Sequence, residues 1–313
     1  MNFQQLRYVR ETVRRGLNIT EAAAALHTSQ PGVSRQIKEF EEELGVIIFE
    51  RRGKRFVALT EPGRAVVAAV ERVLRETENL RTVGREYADQ DSGSFAVAAT
   101  HTQARYALPK VVQSFKRKFP KVQLSLLQGN PSQLAEMVIA GEADIAIATE
   151  ALADYAELLS LPAYSWHHCV VVPEKHPLLR LPSLQLEHLA QYPIITYSPE
   201  FTGRARIDEA FAARSISTNI VLTAIDSDVI KTYVELGMGI GIIAEVAFNA
   251  KRDASLRALK VDHLFRTNTT RIAMKRGRFL RGYAYSFVEL FAPALDRKTI
   301  ERAQAGGAEM YEL

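Results

Sequence analysis

The chain is expected to be an α/β protein in which a small helical head, one long helix and a two-lobed sheet domain follow one another. Three observations predict this: two short amphipathic segments meet at a turn between Asn18 and Leu44, an uninterrupted helical pattern runs from Glu61 to about Ala88, and a β-α-β rhythm begins at Phe95 and restarts after Cys169. With 313 residues and 47% hydrophobic content the chain can bury more than one core. Residues 1–59, 60–91 and 92–313 are read as its three divisions.

In the head, Asn18 opens a helix as a capping-box residue, accepting from the backbone while Glu21 reaches back. Ala22 and Ala23 let another helix cross closely, and Leu26 fills the seam. His27-Thr28 turns the chain before Ser29 caps a second helix, with Gln30-Pro31 in the first turn, where proline is tolerated. Val33, Ile37, Phe40 and Leu44 recur at helical spacing and are expected to face inward, which leaves Gln30, Ser34, Arg35 and Lys38 outside. Amide, hydroxyl and cationic groups so arranged suit phosphates and base edges. The segment reads as a helix-turn-helix, with Thr28, Ser29 and Pro31 at the entrance to the reading helix.

Apolar spacing with polar residues outside is common to small helical domains, so the residues that follow carry the distinction. Leu44-Gly45 ends the helix, Ile47-Ile48-Phe49 reads as a short apolar strand, and Arg51-Arg52-Gly53-Lys54-Arg55 is a basic hairpin tip before Phe56-Val57-Ala58-Leu59. A helix-turn-helix with such a ribbon is a winged helix, and Arg52, Lys54 and Arg55 are placed to meet the backbone of double-stranded DNA.

Beyond Pro62-Gly63, the residues Val66, Val70, Val73, Thr77, Leu80 and Gly84 alternate in steps of four and three. This seam fits a partner helix, giving a homodimer, or docking of the helix on its own domain. Half-sites about one DNA turn apart need two linked reading heads, which favours the dimer. Gln90-Asp91-Ser92-Gly93-Ser94 reads as a short hinge.

In the sheet domain, strands at 95–99, 123–127 and 144–148 alternate with helices at 104–119 and 132–140. After Cys169-Val170-Val171-Val172 come strands at 194–197, 220–223 and 239–243 with helices at 204–214 and 229–236. Two lobes in one chain imply a cleft, and Thr269–Met274 is expected to return to the first lobe before a terminal helix from about Phe279 to Leu295. Open α/β sheets bind ligands at the carboxyl ends of their strands. Thr100 and Thr102, Thr149, and the segment Ser198–Thr202 all follow strands, and Thr102-Gln103 and Thr202-Gly203 precede helices whose free N–H groups suit an anion. Hydroxyls, an amide and backbone donors without a lysine suit a small oxyanion or a compact acylated amino acid; threonines also commonly just cap helices.

Several classes find no support. No stretch approaches the roughly 20 apolar residues of a membrane span, and Met1–Arg15 is studded with Arg7, Arg10, Arg14 and Arg15, unlike a secretion signal. A cytoplasmic location is expected. Cys169 is the sole cysteine, so no intrachain disulfide forms. A formal charge of +4 is mild, so DNA affinity must rest on local clustering. Trp166-His167-His168-Cys169 is a poor metal motif because neighbours on a strand point to opposite faces. Gly237-Met238-Gly239-Ile240-Gly241 lies after a helix and before a strand, the wrong order for a dinucleotide site. Asp226 and Asp228 flank Ser227 at a helix start, where capping explains them. No motif supplies a catalytic nucleophile or calls for a cofactor.

The run Ala22-Ala23, Leu26, Ser29-Gln30-Pro31, Val33-Ser34, Ile37, Phe40-Glu41, Leu44-Gly45, Ile48-Phe49, Arg51 and Leu59-Thr60-Glu61-Pro62-Gly63 resembles the N-terminal signature of LysR-type transcriptional regulators. Within that family, the stretches 100–109, 148–152, 201–204 and 228–234 resemble the CysB/Cbl branch, regulators of sulfur assimilation, and the similarity covers nearly the whole chain. The resemblance implies an effector domain like a periplasmic binding protein, a ligand cleft lined by Thr100, Thr102, Gln103, Thr149 and Thr202, a tetramer, and contact with RNA polymerase. It implies sulfate or an acetylserine as effector, with an unrelated small organic anion as the alternative. Ala99 stands where another threonine is expected, and Glu200 brings a carboxylate close to the expected anion site.

Overall fold

The computed structural model describes residues 1–53, 55–88 and 91–307, except the side chains of 85, 86, 88 and 202. Lys54 of the basic tip and Gln90 of the expected hinge lie outside the described residues. The chain divides into two compact units, 1–88 and 89–313.

The first unit contains helices α1 (Phe3–Arg14), α2 (Ile19–Ala25) and α3 (Gln30–Leu44), strands β1 (Phe49–Arg52) and β2 (Arg55–Leu59), and the long helix α4 (Glu61–Ala88). Asn18 caps α2 through the N–H groups of Thr20 and Glu21, while the Glu21 carboxylate meets the Asn18 side-chain amide instead of its backbone. Val33, Ile37 and Phe40 are buried with Leu6, Val9, Ile19 and Ala23, but Leu44 at the last turn is 40% exposed. The first wing strand begins at Phe49, not Ile47, which is exposed; Ile48 and Phe49 are buried in the core, and Phe49 stacks on Phe56 across the antiparallel ribbon. The α4 seam divides. Val70 and Leu74 are buried in the core of their own unit, so this half of the helix docks at home, whereas Val73 and Leu80 are 45% and 73% exposed.

The second unit has two lobes. Lobe one is built from β3 (Gly93–Ala99), α5 (Leu108–Lys118), β4 (Val122–Gln128), α6 (Pro131–Ala140), β5 (Ile145–Ala148) and β6 (Leu158–Trp166). Lobe two holds β7 (His168–Pro173), the short α7 (Leu186–Leu189), β8 (Ile194–Tyr197), α8 (Thr202–Ala213), β9 (Ile220–Ala224), α9 (Ser227–Glu235), β10 (Ile240–Ala244) and β11 (Leu256–Lys260). The chain then returns through β12 (Asn268–Lys275), α10 (Gly282–Phe291) and α11 (Arg297–Arg302). The sheet orders are β4-β3-β5-β12-β6 and β11-β7-β10-β8-β9, so β12 closes lobe one, antiparallel to β5 and β6. Lobe one buries Phe95, Phe115, Ile145 and Phe287, and lobe two buries Val170, Ile194, Phe211 and Ile242.

The expected helix 104–119 is broken into a π-turn over Gln103–Ala107 followed by α5. Pro109 explains the break. It has no N–H to give to Arg105, and its ring would clash with that carbonyl in a regular helix, so the turn before it widens. In the glycine run, Gly237 ends α9 with φ +75°, and any Cβ on Gly239 would stand 2.3 Å from the Pro193 carbonyl. These are local backbone requirements, unrelated to a nucleotide.

Candidate functional site

In the first unit, Ser29 caps α3 by accepting from Gly32 N at 3.3 Å, with Pro31 in the first turn. Thr28, Ser29, Pro31, Arg35 and Lys38 are exposed along this end and face, and Gln30 and Ser34 are half-buried beside them. Arg35 pairs with Glu39 at 2.8 Å and Lys38 with Glu42 at 3.4 Å; both cations are largely solvated, so these i,i+4 pairs are weak and can yield to phosphate. Arg52 and Arg55 are exposed on the ribbon. Arg51 differs: its guanidinium turns back to Glu41 at 2.5 Å. Glu41 is buried, and it also accepts from Ile48 N at 2.8 Å and Phe49 N at 3.1 Å, so one carboxylate of the reading helix fixes the root of the wing.

In the second unit, a small cavity of about 40 Å³ lies between the lobes. Lobe one contributes Thr100, Thr102, Gln103, Thr149 and Trp166, and lobe two contributes Tyr197, Phe201, Gly203 and Ala244. The expected residues Thr100, Thr102, Gln103 and Thr149 are thus brought together. Thr202 begins α8 beside Gly203, but its side chain lies outside the described residues. Gly203 sits in the first turn of α8, where N–H groups have no partner within the helix. No Lys, Arg, Asp or Glu is among these lining residues. Glu200 is exposed and Ala99 is buried, and neither lines the cavity.

The donors differ in availability. Gln103 is buried and mostly committed: its carbonyl accepts from the Tyr164 hydroxyl at 2.6 Å and its amide donates to Thr270 Oγ1 at 3.1 Å, which leaves one N–H. Burial pushes the Tyr164 hydroxyl above its ordinary value, keeping it a donor. Tyr197 shares a hydrogen bond with Ser227 at 2.7 Å, accepts from Ala244 N at 2.9 Å, and is pushed up to about 12 by burial. Among the described residues, the buried Trp166 Nε1–H has no partner. Trp166 was not legible as a site residue: β6 reads poorly as a strand because Pro162 interrupts it, and Pro162 is tolerated only because β6 is an edge strand with a bulge there.

Beside the cavity, the π-turn projects Arg105 and Tyr106 onto lobe two. The Tyr106 hydroxyl donates to Asp228 Oδ1 at 2.6 Å and accepts from Lys231 Nζ at 3.2 Å, and Arg105 Nε lies 3.4 Å from Asp228 Oδ2. Burial, then the Asp228 carboxylate, hold the Tyr106 hydroxyl well above its ordinary value. Asp226 caps α9, as expected, but Asp228 serves this contact between lobes. Ligand atoms of His101, Asp226 and Asp228 lie within 4.8 Å of one another, yet Arg105 and Lys231 already neutralise Asp228, which makes a poor seat for a divalent cation. His167 links β6 to β7, and His168 is buried with Nδ1 3.3 Å from Asn268 Nδ2, held neutral with its pKa lowered to about 4 by burial.

A winged helix-turn-helix unit and a two-lobed domain with a neutral, donor-lined cleft define a ligand-responsive DNA-binding protein. The model of the LysR substrate binding domain matches residues 88–296, and that of the bacterial regulatory helix-turn-helix protein of the lysR family matches residues 3–64. The chain belongs to the LysR family of transcriptional regulators, within its CysB/Cbl-like branch, and is a regulator, not an enzyme. It is 59% identical to the HTH-type transcriptional regulator CysB of Burkholderia cenocepacia over 313 residues, covering 100% of both chains. It is 58% identical to the regulator SsuR of the same organism, over 96% of this chain and 97% of that one. The cofactor-binding domain of the Cbl transcriptional regulator superposes with a TM-score of 0.67 at 45% identity, covering 69% of this chain and 95% of that one. Members of the family bind promoter DNA and small effectors, and no described helix here is long and apolar enough to cross a membrane.

Proposed function

We propose that this regulator acts in the cytoplasm on sulfur-assimilation genes and responds to a small anionic effector, sulfate or an acetylserine, held in the interlobe cavity. The cavity's chemistry carries the reading: the Thr100 hydroxyl, an unpartnered Trp166 N–H and the first turn of α8 converge where no side-chain charge competes. Thr102, Thr149 and Gln103 add polar groups to the lining, and the family resemblance adds Thr202. Neutral donors in a low-dielectric site hold an anion without a paired cation. The kinship with CysB and SsuR supports the sulfur assignment.

On DNA, residues 28–31 with Ser34, Arg35 and Lys38 enter the major groove while Arg52, Lys54 and Arg55 meet phosphate. Residues 1–59 read DNA, 60–91 link and dimerise, and 92–313 sense the effector. Val73, Leu80 and Tyr87, exposed at seven-residue intervals on α4, support a homodimer through this helix. A tetramer that contacts RNA polymerase follows from the family resemblance. Trp166, Phe201 and Tyr197 also give the cavity apolar walls, which favours an organic anion as the alternative effector.

Calorimetric titration of the full chain with sulfate, thiosulfate, N-acetylserine, O-acetylserine and benzoate separates the readings. Sulfur-bearing anions or acetylserines bind under the first, benzoate alone under the second.

A further inference from the structure

One segment touches both the cavity and the opposite lobe. The π-turn Gln103–Ala107 and the residue before it present Thr102 and Gln103 to the cavity. Two and three residues on, Arg105 and Tyr106 leave lobe one altogether. The Tyr106 ring packs against the core of lobe two formed by Ile230, Val234 and Tyr197, and lies 5.4 Å from Lys231 Nζ. Lys231 is itself buried and anchored, donating to Ala247 O and Asp253 Oδ1 at 2.9 Å each. The hydroxyl of Tyr106 therefore meets the Asp228 carboxylate and an anchored cation, whereas the half-exposed Arg105 pair is weakened by solvent. A ligand gripped by both lobes and a tyrosine bridging both lobes favour the same closed arrangement.

We propose that Tyr106 is a positioning residue of the effector cavity: its anchorage on Asp228 and Lys231 fixes the π-turn that aims Thr102 and Gln103 and holds the lobes closed around the ligand. The effector part rests on the cavity being the ligand site; the anchorage stands independently of it. Loss of the hydroxyl lowers the closed fraction, and apparent affinity falls with that fraction.

The test compares full-length wild type with Tyr106→Phe, which keeps the ring, and Asp228→Asn, which keeps an acceptor for the hydroxyl. Amide hydrogen exchange is followed without ligand, and sulfate affinity by calorimetry. Tyr106→Phe is expected to speed exchange locally at 102–107 and weaken sulfate on the order of tenfold, with a smaller loss in Asp228→Asn. Unchanged exchange at 102–107 overturns the proposal, and so does faster exchange with unaltered sulfate affinity. Faster exchange with no sulfate bound by wild type contradicts sulfate as the effector and leaves the anchorage standing.

Discussion

Glu41 of the reading helix and Arg51 of the wing form a partly buried ion pair at 2.5 Å, and the same carboxylate closes two backbone hydrogen bonds at the wing's root. The wing's orientation thus depends on one side chain of α3. Glu41→Ala leaves the Ile48 and Phe49 N–H groups and the Arg51 charge without their acceptor, costing about 2–4 kcal/mol. Urea unfolding of the purified variant is expected to show that loss, with operator affinity falling alongside it, while Glu41→Gln recovers part of both.

Arg52 and Arg55 stand exposed on the ribbon. Replacing either with Ala should weaken specific and random DNA alike and reduce the salt slope of log K by about 1. Gln30→Ala and Ser34→Ala should instead change sequence preference, since these residues lie on the reading helix. Fluorescence anisotropy on operator and scrambled duplexes over a salt series checks both, and equal losses on both duplexes for Gln30→Ala contradict the assignment.

The two halves of α4 make opposite predictions. Val70→Glu forces a carboxylate into the head's own core and should unfold that unit, at a cost of several kcal/mol. Leu80→Glu sits on the exposed face, so the melting temperature of the head should hold while the particle becomes smaller by light scattering. An unchanged mass in Leu80→Glu shows that the exposed row does not join two copies.

His168 titrates at about 4 in the folded chain against an ordinary 6.5, because burial penalises its charged form. Between these values the unfolded chain binds the extra proton, so stability is full above pH 6.5 and is lost as pH falls toward 4, by about 3 kcal/mol in all. His168→Phe should flatten this part of the pH–stability curve, measured by denaturant unfolding. An unaltered curve shows that another group governs acid unfolding.

Much of this architecture was legible because hydrophobic period and turn chemistry agree along it: Ile194–Tyr197 is a strand with the expected bounds, and the return of Thr269–Met274 to lobe one follows from its apolar alternation. Edge strands hid. In β6 Pro162 interrupts the pattern, and in β11 Arg257 and Lys260 supply the charges that protect an open edge and erase the apolar signal. Four cleft residues were readable as polar residues following strands, but Trp166, Tyr197 and Phe201 look like ordinary core aromatics until the lobes face one another. Likewise Tyr106 and Asp228, 122 positions apart, carry no local signal of their contact.

The cleft and the reading head belong to different units, so any effector response must appear as a coupling free energy between them, typically about 1–3 kcal/mol. Footprinting on a responsive promoter, with and without sulfate or N-acetylserine, reads this directly in wild type and Thr102→Val. The wild-type footprint is expected to change in length or position on adding effector, and that of Thr102→Val to stay fixed at the same concentration, because losing one buried donor costs about 1–3 kcal/mol of effector affinity. A Thr102→Val footprint that shifts as wild type does, at the same effector concentration, contradicts the interlobe cavity as the effector site.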